Sequence, residues 1–163
     1  MSSSEGNSEE SGESWVEWFC SLSGNQYFCK VDHAYISDAF NLFGLKQLIP
    51  QYTETLRILL DYAESRCDNT MEEDELEVSK RTQLLYGLIH SRFIITNRGL
   101  EVMAQLFTEG AFGVCPREFC QRQGVLPIGI SDIPDEETFR LYCPRCRDLY
   151  RPRGRFGKVN GKI

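Results

Sequence analysis

The sequence predicts an α+β protein, mainly helical in its N-terminal part and ending in a small cysteine-bound module with a short antiparallel sheet. Three observations lead there. Apolar residues between Tyr52 and Phe107 recur at helical spacing. From Gly110 onward, Gly and Pro interrupt the chain and helices become improbable. That same region holds two tight cysteine pairs, Cys115 with Cys120 and Cys143 with Cys146.

The cysteine pairs are the most specific signal. Four residues separate the first pair, two the second, and 22 lie between them. A loop of that length lets four sulfurs converge on one tetrahedral centre, for which Zn2+ is the default ion. Pro116 and Pro144 follow the first cysteine of each pair and stiffen both turns. The expected ligands are therefore Cys115, Cys120, Cys143 and Cys146, holding one structural zinc. Seven cysteines, an odd number, and no signal peptide argue for a reducing compartment rather than a disulfide framework. Cys20, Cys29 and Cys67 form no second quartet and read as ordinary thiols.

The chain begins with MSSSEGNSEESGES, a serine- and acid-rich tail at 1–14 that reads as disordered. Ser2 has Glu5 three residues on, a spacing that suits an acid-directed kinase or a helix capping box. A helical domain is expected over 15–109. Trp15, Val16, Trp18 and Phe19 suggest a short helix, followed by a Gly24-Asn25 turn. Asp32 reads as the N-cap of a helix through Phe40, with Tyr35, Ile36 and Phe40 inward. Pro50 stands at the start of another, whose stripe is Tyr52, Leu56, Leu59 and Leu60.

Residues 68–77 read DNTMEEDELE, with six acids (Asp68, Glu72, Glu73, Asp74, Glu75, Glu77) and no base. A solvated loop or frayed helix start is the plain reading; a site for polyamines or basic peptides is the sharper one. A helix then runs from before Leu84 to about Ile95, pairing Leu84 with Leu88 and Leu85 with Ile89 and Phe93. After Thr96–Gly99, Leu100, Met103, Ala104 and Phe107 outline another. His90 and His33 have no partner at metal or catalytic spacing and read as structural or surface residues.

In the cysteine module, 110–152, Phe139 and Leu141 alternate in a strand over 138–142, and Leu149-Tyr150 is its expected partner. The module is a zinc ribbon, too small for much core of its own. Arg117, Arg122, Arg145 and Arg147 lie where they would offset the charge of four thiolates. Net charge is −6, which disfavours general nucleic-acid binding. The basic tail at 153–163, with Arg151 just before it, keeps a nucleic-acid-binding ribbon as the alternative function. Thiol catalysis by Cys143 and Cys146 is weaker, because bound zinc would mask both. No Gly-rich nucleotide loop, His-Arg-Asp or Asp-Phe-Gly motif is present, so the chain is not itself a kinase. No apolar run approaches a membrane span.

Long stretches of the chain resemble the casein kinase II regulatory (beta) subunit family. They are SWVEWFC (14–20), GNQYFCKV (24–31), FNLFGL (40–45), LLYGLIHSRFIITNRGL (84–100), GAFGVCPREFC (110–120), LPIGISDIP (126–134) and LYCPRC (141–146), besides MSSSE at the start. The resemblance implies a cytoplasmic and nuclear, non-catalytic subunit that forms homodimers through its zinc domain. Pro116, Phe119, Leu149 and Tyr150 occupy the matching interface positions, and Glu118 stands where an apolar residue would suit that interface better. It also implies docking and stabilising of catalytic (alpha) subunits, altered substrate choice, polyamine response at 68–77, and autophosphorylation at Ser2 and Ser3. Only 11 residues follow Pro152, with one aromatic, Phe156. The resemblance places the aromatic-rich docking segment there, so weakened catalytic-subunit docking is expected. Truncation, a diverged paralogue and an alternative product all fit that ending.

Overall fold

The computed structural model describes residues 12–62, 74–133 and 136–153. Among the described residues, five α-helices precede a three-stranded sheet. α1 (Trp15–Ser21) opens on a capping box: the Ser14 hydroxyl accepts from the Glu17 amide, and the Glu17 carboxylate accepts from the Ser14 amide, both at 3.2 Å. Trp15 stacks on Phe19 with ring centroids 4.9 Å apart. The turn at Gly24 follows, with φ of 97°.

α2 is shorter than expected. It spans His33–Ser37, because the Asp38 carboxylate accepts from the Phe40 amide at 2.9 Å and turns the chain out of the helix. Phe40 consequently points outward and is 85% exposed, rather than packing with Ile36. A 3-10 turn at Leu45–Gln47 leads to α3 (Tyr52–Leu59), which starts two residues after Pro50. Leu59 and Leu60 are buried, with Tyr52 and Leu56 packed beside them.

α4 (Glu75–Phe93) is the central element. Leu85, Tyr86, Ile89, His90 and Phe93 are at most 1% exposed, so the Leu85–Ile89–Phe93 row is the innermost one. α5 (Asn97–Thr108) begins within the stretch expected to interrupt the helices, because Thr96 caps it by accepting from the Gly99 amide. Its inner face also differs from the expected stripe. Met103 is buried and Phe107 half-buried, but Leu100 and Ala104 face outward. Gly99 decides the rotation, since it lies against the Phe93 carbonyl at the end of α4.

Past Gly110 and Gly113, β1 (Leu126–Ile128), β2 (Arg140–Tyr142) and β3 (Leu149–Tyr150) form an antiparallel sheet in that order. Pro127 pairs with Leu141, and Leu141 with Tyr150. Apolar packing runs without a break from Val16 and Phe19 through Tyr86 to Val125, Phe139 and Cys143. Tyr27 and Phe139, 4.9 Å apart, connect the helices to the sheet. No described helix is long and apolar enough to cross a membrane.

Candidate metal centre

The ribbon brings together the four cysteines expected from their spacing. Cys115 follows the Val114–Gly124 bridge, and its amide donates to the Gln123 carbonyl at 2.8 Å. A 3-10 turn at Glu118–Cys120 then returns the chain, with Gln121 and Arg122 at φ of 50° and 56°. Cys143 leaves β2 with its amide donating to the Asp148 carbonyl, while the Arg147 amide donates back to the Cys143 carbonyl. Arg147, at φ of 58°, closes that second turn. Each pair thus sits in a hydrogen-bonded knuckle whose backbone fixes the sulfur direction.

All four Sγ atoms lie within 4.8 Å of one another. Cys115 and Cys146 are 3.9 Å apart, far beyond disulfide length. Tetrahedral thiolate ligands at about 2.3 Å from an ion would stand about 3.8 Å from each other. Cys115, Cys120 and Cys143 are buried, and Cys146 is half-buried. The group fits a cation and is poorly suited to being empty of charge. The Tyr150 hydroxyl, 3.1 Å from the Cys146 sulfur, holds that thiol down to about 6, helped by the Asp148 backbone. Burial and the neighbouring thiols push Cys120 up to about 12. Four such sulfurs become thiolates together only when a cation binds between them. Four protein ligands leave no coordination position for a substrate, so such a centre is structural.

Around the cage, Arg117 pairs with Asp148 at 3.2 Å, and Arg145 donates to Gln121 at 2.8 Å. Of the residues expected at an interface, Phe119 is 91% exposed and Leu149 and Pro116 are exposed as well. Val114, which sequence reasoning did not single out, exposes its side chain too. Tyr150 is half-buried with its hydroxyl on Cys146, so it faces the cage at that end. Nothing in its sequence position distinguishes a thiolate partner from an interface aromatic.

The other expected sites lie apart from this centre. Asp74 caps α4 by accepting from the Leu76 amide, and Glu75 and Glu77 occupy its first turn, where negative charge is favoured. Asp68, Glu72 and Glu73 fall outside the described residues, as do Ser2, Ser3, Cys67 and the tail from 154. Cys20 and Cys29 are core thiols around the Tyr86 hydroxyl, which donates to the Cys29 carbonyl at 2.6 Å. His90 is buried, and its Nε2 accepts from the Cys29 amide at 3.1 Å. Those two residues stand 61 positions apart, which leaves no local signal of the pairing.

Comparison with known proteins agrees with the cage and the helices before it. The pattern of the casein kinase II regulatory subunit family matches residues 14–163. The chain is 49% identical over 140 residues to casein kinase II subunit beta' of Drosophila melanogaster, covering 86% of this chain and 63% of that protein. It is 44% identical to a putative casein kinase II subunit beta-4 of Arabidopsis thaliana, over 94% of this chain and 55% of that one. Against casein kinase II subunit beta of Schizosaccharomyces pombe, identity is 43%, over 98% of this chain and 68% of the relative. The chain therefore spans between about half and two-thirds of the length of these curated relatives. With a family match over nearly its whole length and a four-cysteine cage in place, the chain belongs to the casein kinase II regulatory subunit family.

Proposed function

We propose that this protein is a non-catalytic regulatory subunit of casein kinase II that binds one structural zinc and pairs with a second copy of itself through the ribbon. Its role is to scaffold and stabilise catalytic subunits and to modulate their substrate choice in the cytoplasm and nucleus. Cys115, Cys120, Cys143 and Cys146 would hold the zinc, whose contribution is to fix the knuckles rather than to activate a substrate.

The observation that carries the pairing is the side chain of Phe119, 91% exposed one residue before a cage ligand. A backbone held by a metal presents that ring at fixed position, so little ordering entropy is lost when a partner covers it. Burying a Phe or Leu side chain is worth about 1.5–3 kcal/mol each. Leu149 and Pro116 extend the apolar face, while Glu118, exposed beside Phe119, would limit its affinity. Polyamine response at Asp68–Glu77 belongs to the same proposal; its Asp74, Glu75 and Glu77 cluster at the start of α4 in support of it.

Light scattering combined with zinc analysis tests the proposal. The expected result is a dimer with one zinc per chain, turned monomeric by Phe119→Ser with its zinc retained. A zinc-bound monomer in the unaltered protein would refute the pairing. Capture of a casein kinase II catalytic subunit by the chain tests the regulatory role; absence of binding, with and without a longer family-type C-terminal segment grafted on, would refute it.

A further inference from the structure

A cavity of about 440 Å³ lies between α4 and the ribbon. α4 supplies Leu84, Gly87, Leu88 and His90 to its wall, and Ile128 and Phe139 come from the β1–β2 side. The volume is in the range of small-molecule sites, and these apolar side chains share the wall with polar ones, Ser91 and Ser131 among them.

Two independent features mark this cavity as more than a packing defect. The first is His90. Its ring is fully buried, and its Nε2 is committed as acceptor to the Cys29 amide. Nδ1 must then carry the proton. This Nδ1 is a buried side-chain atom with no hydrogen-bond partner among the described residues, on a residue that lines the cavity. An unpaired buried donor is costly, and an acceptor placed there would relieve it. Burial also depresses the imidazole to about 4, so the donor is neutral near pH 7.

The second feature is Gly87, three residues before His90 and also in the wall. It is buried in mid-helix, where glycine is unfavourable relative to alanine. A Cβ at Gly87 would meet nothing within 4 Å. Steric need does not explain this glycine, whereas it keeps the space beside His90 open. Asp132 and Glu137 are exposed at the outer wall and would repel an anion.

We infer that this cavity is a binding site for a small uncharged molecule with an apolar body and one carbonyl oxygen, which accepts from the His90 Nδ1–H. It stands apart from the metal cage and from the exposed face around Phe119.

The test uses the full zinc-loaded chain and N-cyclohexylacetamide as probe, with cyclohexanecarboxylate as its anionic counterpart. Ring-nitrogen NMR of His90 and methyl signals of Ile128 and Leu88 report the site. The expected result is a protonated Nδ1 and saturable shifts with a dissociation constant on the order of 1 mM or tighter. The carboxylate should bind about tenfold or more weakly. Gly87→Leu, which fills the space and leaves His90 in place, should abolish the shifts with the helical circular dichroism unchanged. If Gly87→Leu disturbs the fold, Leu88→Phe serves as the second filling variant. An Nε2-protonated tautomer, no saturable shift, equal binding of the carboxylate, or binding that survives a folded filling variant would each overturn the inference.

Discussion

Replacing glycine by alanine at two positions of one helical pair should move stability in opposite directions. Gly87 and Gly99 are both buried and helical, so helix propensity alone favours alanine at each by about 1 kcal/mol. At Gly87 the new methyl meets open space, and the propensity gain should be realised. At Gly99 the methyl would collide with the Phe93 carbonyl oxygen and lie 2.6 Å from its carbon and 2.7 Å from the Ile94 Cα. These are backbone atoms and cannot rotate away. The Phe93 carbonyl is further fixed by the Thr96 amide at 2.9 Å and the Thr96 hydroxyl at 2.6 Å. Overpacking costs about 1–3 kcal/mol where side chains can adjust, and a backbone clash belongs at the top of that range. Net of propensity, Gly99→Ala should lose about 2 kcal/mol or more, while Gly87→Ala gains up to about 1. For a chain of this size each kcal/mol is roughly 2–4 °C in Tm. Calorimetry of the two variants should show Tm falling by about 4–8 °C for Gly99→Ala and rising by about 2–4 °C for Gly87→Ala. Shifts of the same sign in both would refute the reading of the α4–α5 corner.

Three further outcomes follow from the cage and the core. Cys143→Ser removes a fully buried ligand, so zinc content should drop and amides of β1–β3 should lose exchange protection, whereas one retained zinc with intact protection would contradict the site. Tyr150→Phe deletes the hydroxyl 3.1 Å from Cys146 and should weaken zinc roughly 10- to 100-fold in a chelator competition; an unchanged affinity would leave Tyr150 without a role at the cage. His90 titrates at about 4 when folded against an ordinary 6.5, so the unfolded chain binds the extra proton and stability falls as pH drops from 6.5 to 4. Its share of the loss is roughly 3 kcal/mol, fully present as stability above pH 6.5, and urea unfolding at steps through that window should lose the slope in His90→Gln.

What the sequence discloses depends on whether the deciding contact is local. The four cysteines were legible because knuckle turns span only a few residues, and the ligand chemistry needs those spacings. The Leu85–Ile89–Phe93 row was legible because α4 is long and buried along one face. On α5 the apolar residues permit two phases, and Leu100 lost to Met103 because Gly99 docks on the Phe93 carbonyl, a contact that hydrophobic spacing does not encode. α2 ended early at the Asp38 side chain, a polar stop that overrode the apolar match of Phe40. β1 is three residues long with Pro127 at its middle, so it carries no period to read; only pairing with β2 makes it a strand. The bond from Cys29 to His90 lies wholly in tertiary packing.

The ribbon's attachment to the helices explains why a metal bound in the cage would matter beyond its own module. Strands of three, three and two residues cannot hold together alone in water. One end of the sheet is held by the cage, where Cys143 leaves β2 and Cys146 precedes β3. The other is held by packing: Phe139 lies on Tyr27, and Gly124 approaches the Phe107 ring so closely that a Cβ there would sit 3.3 Å from it. The cage residues Cys115, Cys120 and Cys143 belong to the same apolar cluster as Tyr86 and Phe93 of α4. Metal loss would therefore expose the sheet side of that cluster while leaving the α1–α3–α4 packing in place. The direction Phe119 faces would be lost first, because it is set by the knuckle itself. A metal held by these four cysteines would thus control the orientation of the exposed face more directly than it would control the helical fold.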